Sequence, residues 1–237
     1  MSLSARAPRT GDPFWDLLVR DAHAWGIDPR DLAAVMMVES VGIDPNALHP
    51  GGAVGLNQII NYKIFAPLSR DQYRALDAAT QWEAGARKYF DNVISDHPAV
   101  RRGGARDLYW LNFVPATYKP GAPDDYAIIR PGVNYGTTAD PLTGDTIIKS
   151  NSSFVLPEDA DDPVIRPAGL IRAMQAAING NAARWKEVLN AISNAERVAG
   201  IAPGSASTAP RSTQTSLFLP LLALGALGTF AWIKARR

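Results

Sequence analysis

Residues 32–38, Leu-Ala-Ala-Val-Met-Met-Val, offer no polar position on any side. Wound at 3.6 residues per turn, such a run has no face to give to water, so other elements must wrap it. It follows Asp28-Pro29, an N-cap residue with Pro at the first helical position, and Asp31 in the first turn suits the helix dipole. The segment delivers Glu39 at its C-terminal end. The fold class expected is therefore mainly α, with this helix central and buried.

The flanking sequence supplies the wrapping. Asp12-Pro13 repeats the same start signal, Phe14, Leu17, Leu18, Ala22 and Trp25 recur at helical spacing, and Gly26 ends the run. Helical patterns are expected at 55–65, 69–79, 80–95 and 105–114. Two more, at 168–178 and 182–199, are divided by Asn179-Gly180-Asn181. Residues 115–167 differ, being rich in Pro, Gly, Asp and Asn with short strand-like runs such as Thr146-Ile-Ile148. They read as a long, irregular insert with one hairpin. No internal repeat is present.

With 237 residues the chain has room for one sizeable domain and an appendage. Hydrophobic residues at 46% and charged residues at 20% fit a folded protein. A net charge of +1 gives no reason to expect a nucleic-acid partner. The absence of cysteine excludes disulfides, thiolate metal sites and a Cys nucleophile. His23, His49 and His97 have no metal-ligand spacing, and Asp140-Pro-Leu-Thr-Gly-Asp145 departs from a calcium-loop pattern. No metal or cofactor is expected.

The two ends differ. The first ten residues are basic but lack the apolar run of an export signal. Residues 201–215 read as a flexible Ala/Ser/Thr/Pro linker, so the expected folded domain is 11–200. Beyond it, 216–234 is apolar, carries Trp232 near its end and leads into Lys234, Arg236 and Arg237. A helix of that length just spans a hydrocarbon core of roughly 30 Å, so a C-terminal transmembrane helix is expected.

A carboxyl at the end of an apolar helix costs free energy unless it is paired or neutral, and desolvation favours the protonated form. An acid that keeps its proton is what cleavage of a glycosidic bond requires, because the leaving oxygen must receive one. Most glutamates are simply exposed, so the neighbouring residues decide the matter. Glu39-Ser40, Asp44-Pro-Asn-Ala47 and Gly52-Ala-Val-Gly-Leu-Asn-Gln-Ile59 together resemble the soluble lytic transglycosylase and goose-type lysozyme superfamily. Asn57 stands where that family carries Met, at a position taken to line the cleft.

The resemblance extends more weakly to Trp82-Glu-Ala-Gly-Ala-Arg-Lys-Tyr89 and Leu108-Tyr-Trp-Leu-Asn-Phe113. Asn112 matches the Asn of the family's Ala-Tyr-Asn-Ala-Gly motif, whereas Leu111 replaces its Tyr and Phe113-Val114 its Ala-Gly. The family implies a lysozyme-like helical domain in which Glu39 is general acid and then general base, with no second carboxylate required. It also implies substrate contacts from Ser40, Gly55, Leu56, Gln58, Ile59, Tyr89 and Asn112. Physically, Gly55 would let backbone approach a sugar, and Gln58 could donate and accept toward an N-acetyl group.

The expected function is cleavage of the MurNAc-GlcNAc β-1,4 bond of peptidoglycan strands by a lytic transglycosylase or lysozyme-type glycosidase. The alternative is a catalytically inactive glycan-binding or structural protein of a virion, anchored in a membrane. The tail charges would stay cytoplasmic and place the domain outside, yet no export signal is visible. A bacteriophage virion-associated enzyme resolves this, with the virion membrane or host envelope as its location and other virion proteins as further partners.

Overall fold

Asp12 accepts from Phe14 N–H, Pro13 occupies the first helical position and Gly26 closes the last turn in the left-handed region, which bounds α1 at Pro13–Trp25. The same device starts α2 (Pro29–Glu39), where Asp28 accepts from Arg30 N–H. The computed structural model describes residues 7–136 and 141–202. Within them follow α3 (Arg70–Ala75), α4 (Ala78–Gln81), α5 (Arg87–Asp96), α6 (Gly104–Phe113), α7 (Gly144–Ser150), α8 (Pro167–Gly180) and α9 (Ala182–Val198). The architecture is mainly helical, in agreement with a lysozyme-like domain.

Helix α2 occupies the centre. It packs against α6 and α8, and also against α1 and α9. Every residue from Leu32 to Val38 is buried, as an all-apolar run requires. Helix α1 lays Phe14 and Trp15 into the same core, where Phe14 meets Trp82 edge-on at 5.9 Å.

The helix expected at 55–65 is instead a tight turn. Val54 and Ile59 exchange both backbone hydrogen bonds (3.2 and 2.9 Å), and Gly55 and Gln58 lie at φ +79 and +50. Two left-handed residues that close cannot belong to an α-helix. Only Tyr62–Phe65 winds, as one 3-10 turn capped by Asn61. The expected 69–79 helix stops at Ala75, because Asp77 caps a fresh start and accepts from Thr80 N–H. From Ala78 the helical path continues to Asp96 through a π-turn at Trp82–Ala86.

In the insert, Thr146-Ile-Ile148 lies in α7 and not in a strand. Thr143 caps this helix, and Ile147 and Ile148 turn their apolar side chains inward. Burial overrides the preference of β-branched residues for extended structure. The hairpin is minimal: Tyr135 N–H donates to Leu142 and Gly144 N–H to Val133. The remaining pairings of the insert are isolated bridges, Ile129 and Val155 each opposite Ile165.

Residues on either side of the 11–200 span also make contacts with it. Ala7 and Pro8 are buried, Trp15 Nε1 donates to Arg9 O, and Ile201 packs on the core while donating to Glu196 O. Helix α9 ties these ends together. Arg30 makes two bonds to Glu196, 2.8 and 2.7 Å long, and the Glu196 side chain is wholly buried. No helix among the described residues is long and apolar enough to cross a membrane. The expected span at 216–234 and the linker beyond 202 lie outside the described residues.

Candidate active site

Glu39 is the last residue of α2 and is half-buried, whereas the helix before it is sealed. Asn112 projects from α6 and donates from Nδ2 to Glu39 Oε1 at 2.6 Å. Because α6 packs on α2, two residues 73 positions apart meet at the mouth of the core. Asn112 is 1% exposed, and its Oδ1 meets no partner among the described residues. A buried carbonyl left so costs about 1–3 kcal/mol, which marks a place where an incoming donor would be welcome.

Two buried tyrosines lie near enough to feel the charge of the carboxylate. Burial raises the pKa of both Tyr89 and Tyr109, and the charge of Glu39 raises it further. Each therefore keeps its proton and can donate as a neutral hydroxyl. Tyr109 lies one turn before Asn112 on the same face of α6. The sequence does not disclose it, because Leu111, which is buried in the core, stands where the family's motif carries its Tyr. The spacing of Tyr109 and Asn112 was the signal that could have found it. Phe154 of the insert packs edge-on against both Tyr109 (5.9 Å) and Phe113 (5.0 Å), so the insert braces this face.

The chain leaves Glu39 through an unusual turn. Val41, Gly42 and Ile43 have φ of 47, 100 and 64. Two β-branched residues in the left-handed region cost of order 1–3 kcal/mol each and persist only when neighbours hold them. Here Ser40 Oγ bonds Met36 O, Ile43 is fully buried, and Arg184 of α9 donates from Nε to Gly42 O at 3.0 Å. Arg184 is 2% exposed and also donates to Pro8 O at 2.8 Å.

Residues 52–59 form a turn whose side chains are largely engaged with the interior. A Cβ on Gly55 would fall 2.5 Å from Gln81 Oε1 and 2.9 Å from Tyr73, so the missing side chain makes room for the interior. Gln81 is wholly buried and accepts from Leu56 N–H while donating to Pro45 O and Tyr73 O. It pins the turn to the helical layer. Gln58 spends its side-chain amide on Gly55 O at 3.0 Å. Leu56, Asn57 and Ile59 have no exposed surface, so Asn57 does not line the cleft. Ser40 and Tyr89 are buried beside Glu39 in sequence and by its charge, respectively. Among the described residues no group of three or more His, Asp or Glu is arranged to hold a metal ion.

One comparison bears on this arrangement. Residues 16–109 match the transglycosylase SLT domain. Members of that family are lytic transglycosylases acting on peptidoglycan, and it is this domain that residues 16–109 are similar to. The SLT match includes Glu39, the turn after it and Tyr89, and ends before Asn112 and the insert. No curated protein and no solved structure matches the chain.

Proposed function

We propose that this chain cleaves the β-1,4 bond between MurNAc and GlcNAc with Glu39 as its single acid and base. The observation that carries the reading is the 2.6 Å bond from Asn112 to Glu39 Oε1, which holds the carboxyl in place at the half-buried end of α2. Protonated Glu39 gives its proton to the glycosidic oxygen as the C1–O bond breaks, and positive charge develops on the muramyl ring. The carboxylate then takes a proton from the muramyl 6-hydroxyl, whose oxygen closes on C1, and Glu39 is restored. Neutral Tyr89 and Tyr109 would donate toward the carboxylate without competing for its proton. Ser40, Gly55, Leu56, Gln58 and Ile59 act by shaping the wall behind the acid.

The reading extends to the cell. Residues 216–234, apolar up to the closing Lys234 and followed by Arg236 and Arg237, support a membrane anchor that holds the domain against the wall. Delivery by a bacteriophage virion, with entry through the wall as its purpose, is part of this reading. Purified sacculi test the chemistry. The wild-type chain should release muropeptides one water lighter than hydrolysis products, and Glu39→Gln should release about 10²–10⁴-fold less. Wild-type turnover by the Gln variant would sink the assignment. Binding without release by the wild type would leave a glycan-binding module.

A further inference from the structure

The insert holds a second concavity that the active-site reading does not use. It has a volume of about 550 Å³, within the roughly 300–1,000 Å³ of small-molecule sites. Tyr118, Tyr126 and Tyr135 line it with Lys119 and Arg130, and among the described residues no carboxylate lines it.

The walls are held in place. Fully buried Trp110 backs two of the rings, meeting Tyr118 edge-on at 5.6 Å and Tyr126 at 5.7 Å. Tyr118 is fastened further by donating its hydroxyl to Asp107 at 2.8 Å, and Tyr135 by accepting from Arg130 N–H at 2.8 Å. Lys119 Nζ sits 5.1 Å from the centre of the Tyr126 ring. Three acids of the surrounding segments are engaged by other groups: Asp124 and Asp107 pair with Arg106, and Asp145 accepts from Gly132 N–H. Trp110 and Asp107 occupy the face of α6 turned away from Asn112, so this cavity and Glu39 lie on opposite sides of one helix.

Half-buried tyrosine rings with fixed orientation present flat apolar surface to the C–H face of a pyranose, and a neighbouring cation pair favours a sugar that carries a negative charge. We propose that this cavity is an accessory site for an N-acetylated saccharide bearing a carboxylate, the chemistry of a muramyl unit with its lactyl or peptide acid. The inference rests on peptidoglycan being the substrate of the site on the other face of α6. Two sites on one rigid helix would let the enzyme keep hold of a strand between cuts, since the second contact becomes intramolecular.

The test is binding, not cleavage, measured with the full-length chain carrying Glu39→Gln so that the polymer stays intact. Co-sedimentation with sacculi is compared with binding of neutral chitin oligomers. Lys119→Glu with Arg130→Glu should lower sacculus affinity about tenfold and reduce the ratio of sacculus to chitin affinity. The milder Lys119→Gln with Arg130→Gln should move the ratio in the same direction with an unchanged thermal midpoint. Tyr126→Ala should weaken both. An unchanged ratio in both double variants, or unchanged binding in Tyr126→Ala, overturns the accessory site. Failure of the wild type to cleave would instead strike the Glu39 assignment, and this binding comparison would still report on the cavity.

Discussion

The amide of Asn112 acts on Glu39 by holding it, so its removal should appear in the rate and not in binding. A hydrogen bond to a charged group is worth about 1.5–3 kcal/mol, equivalent to roughly 10–100-fold in rate. We expect Asn112→Ala to lower kcat by that factor with KM little changed; a rise in KM at constant kcat would make Asn112 a substrate contact only. Glu39→Gln should be more severe, because the amide keeps the shape but cannot cycle a proton. At this scale the sequence disclosed Glu39, since an all-apolar helix ending in a carboxyl is conspicuous. It did not disclose Tyr109. That residue reaches the site through the packing of α6 on α2, which neither residue's neighbours announce.

Elements began where local chemistry said they should and went astray where tertiary contacts took over. The Asp-Pro starts of α1 and α2 were legible because cap and first turn are adjacent in sequence. The 52–59 turn was not, because its left-handed residues answer to Gln81, more than twenty positions away. Gly55 gives the sharpest check. Gly55→Ala meets both a left-handed φ and the Gln81 amide at 2.5 Å, and should cost about 2–4 kcal/mol in chemical denaturation. A loss below 0.5 kcal/mol would mean that Gln81 moves aside freely. The role of Asp77 as the cap between α3 and α4 carries a pH signature. Its carboxylate accepts from Thr80 N–H and is held below its ordinary value, so its contribution is present above the usual carboxylate range and fades as pH falls through the lowered value.

Across the whole molecule, α9 fastens what lies far from it. Arg184 reaches Pro8 and Gly42, and Glu196 reaches Arg30, each across more than 140 positions. Such pairings are invisible in sequence because nothing local requires them. Arg184→Met should cost about 3 kcal/mol, since two backbone carbonyls lose a buried charged donor, and should lower kcat as the 41–43 turn relaxes. Equal thermal midpoints for variant and wild type would refute the clamp. The ends invite a second check. Because Ile201 caps the domain, a chain cut after Ala202 should keep its fold and cleave sacculi, while the full chain floats with liposomes. A full chain that ignores lipid would remove the anchor from the proposal.

The bond from Arg184 to Gly42 also sets a calendar for the chain's own synthesis. The SLT match ends at residue 109, and by then the acid, its helix and the turn after it have all been made. The guanidinium that holds that turn in its left-handed shape is still 75 residues from being translated. A nascent chain halted before Arg184 should carry Glu39 on a slack loop and leave sacculi intact. Any graft of residues 16–109 onto another protein inherits the acid without its clamp, and should be inert for the same reason.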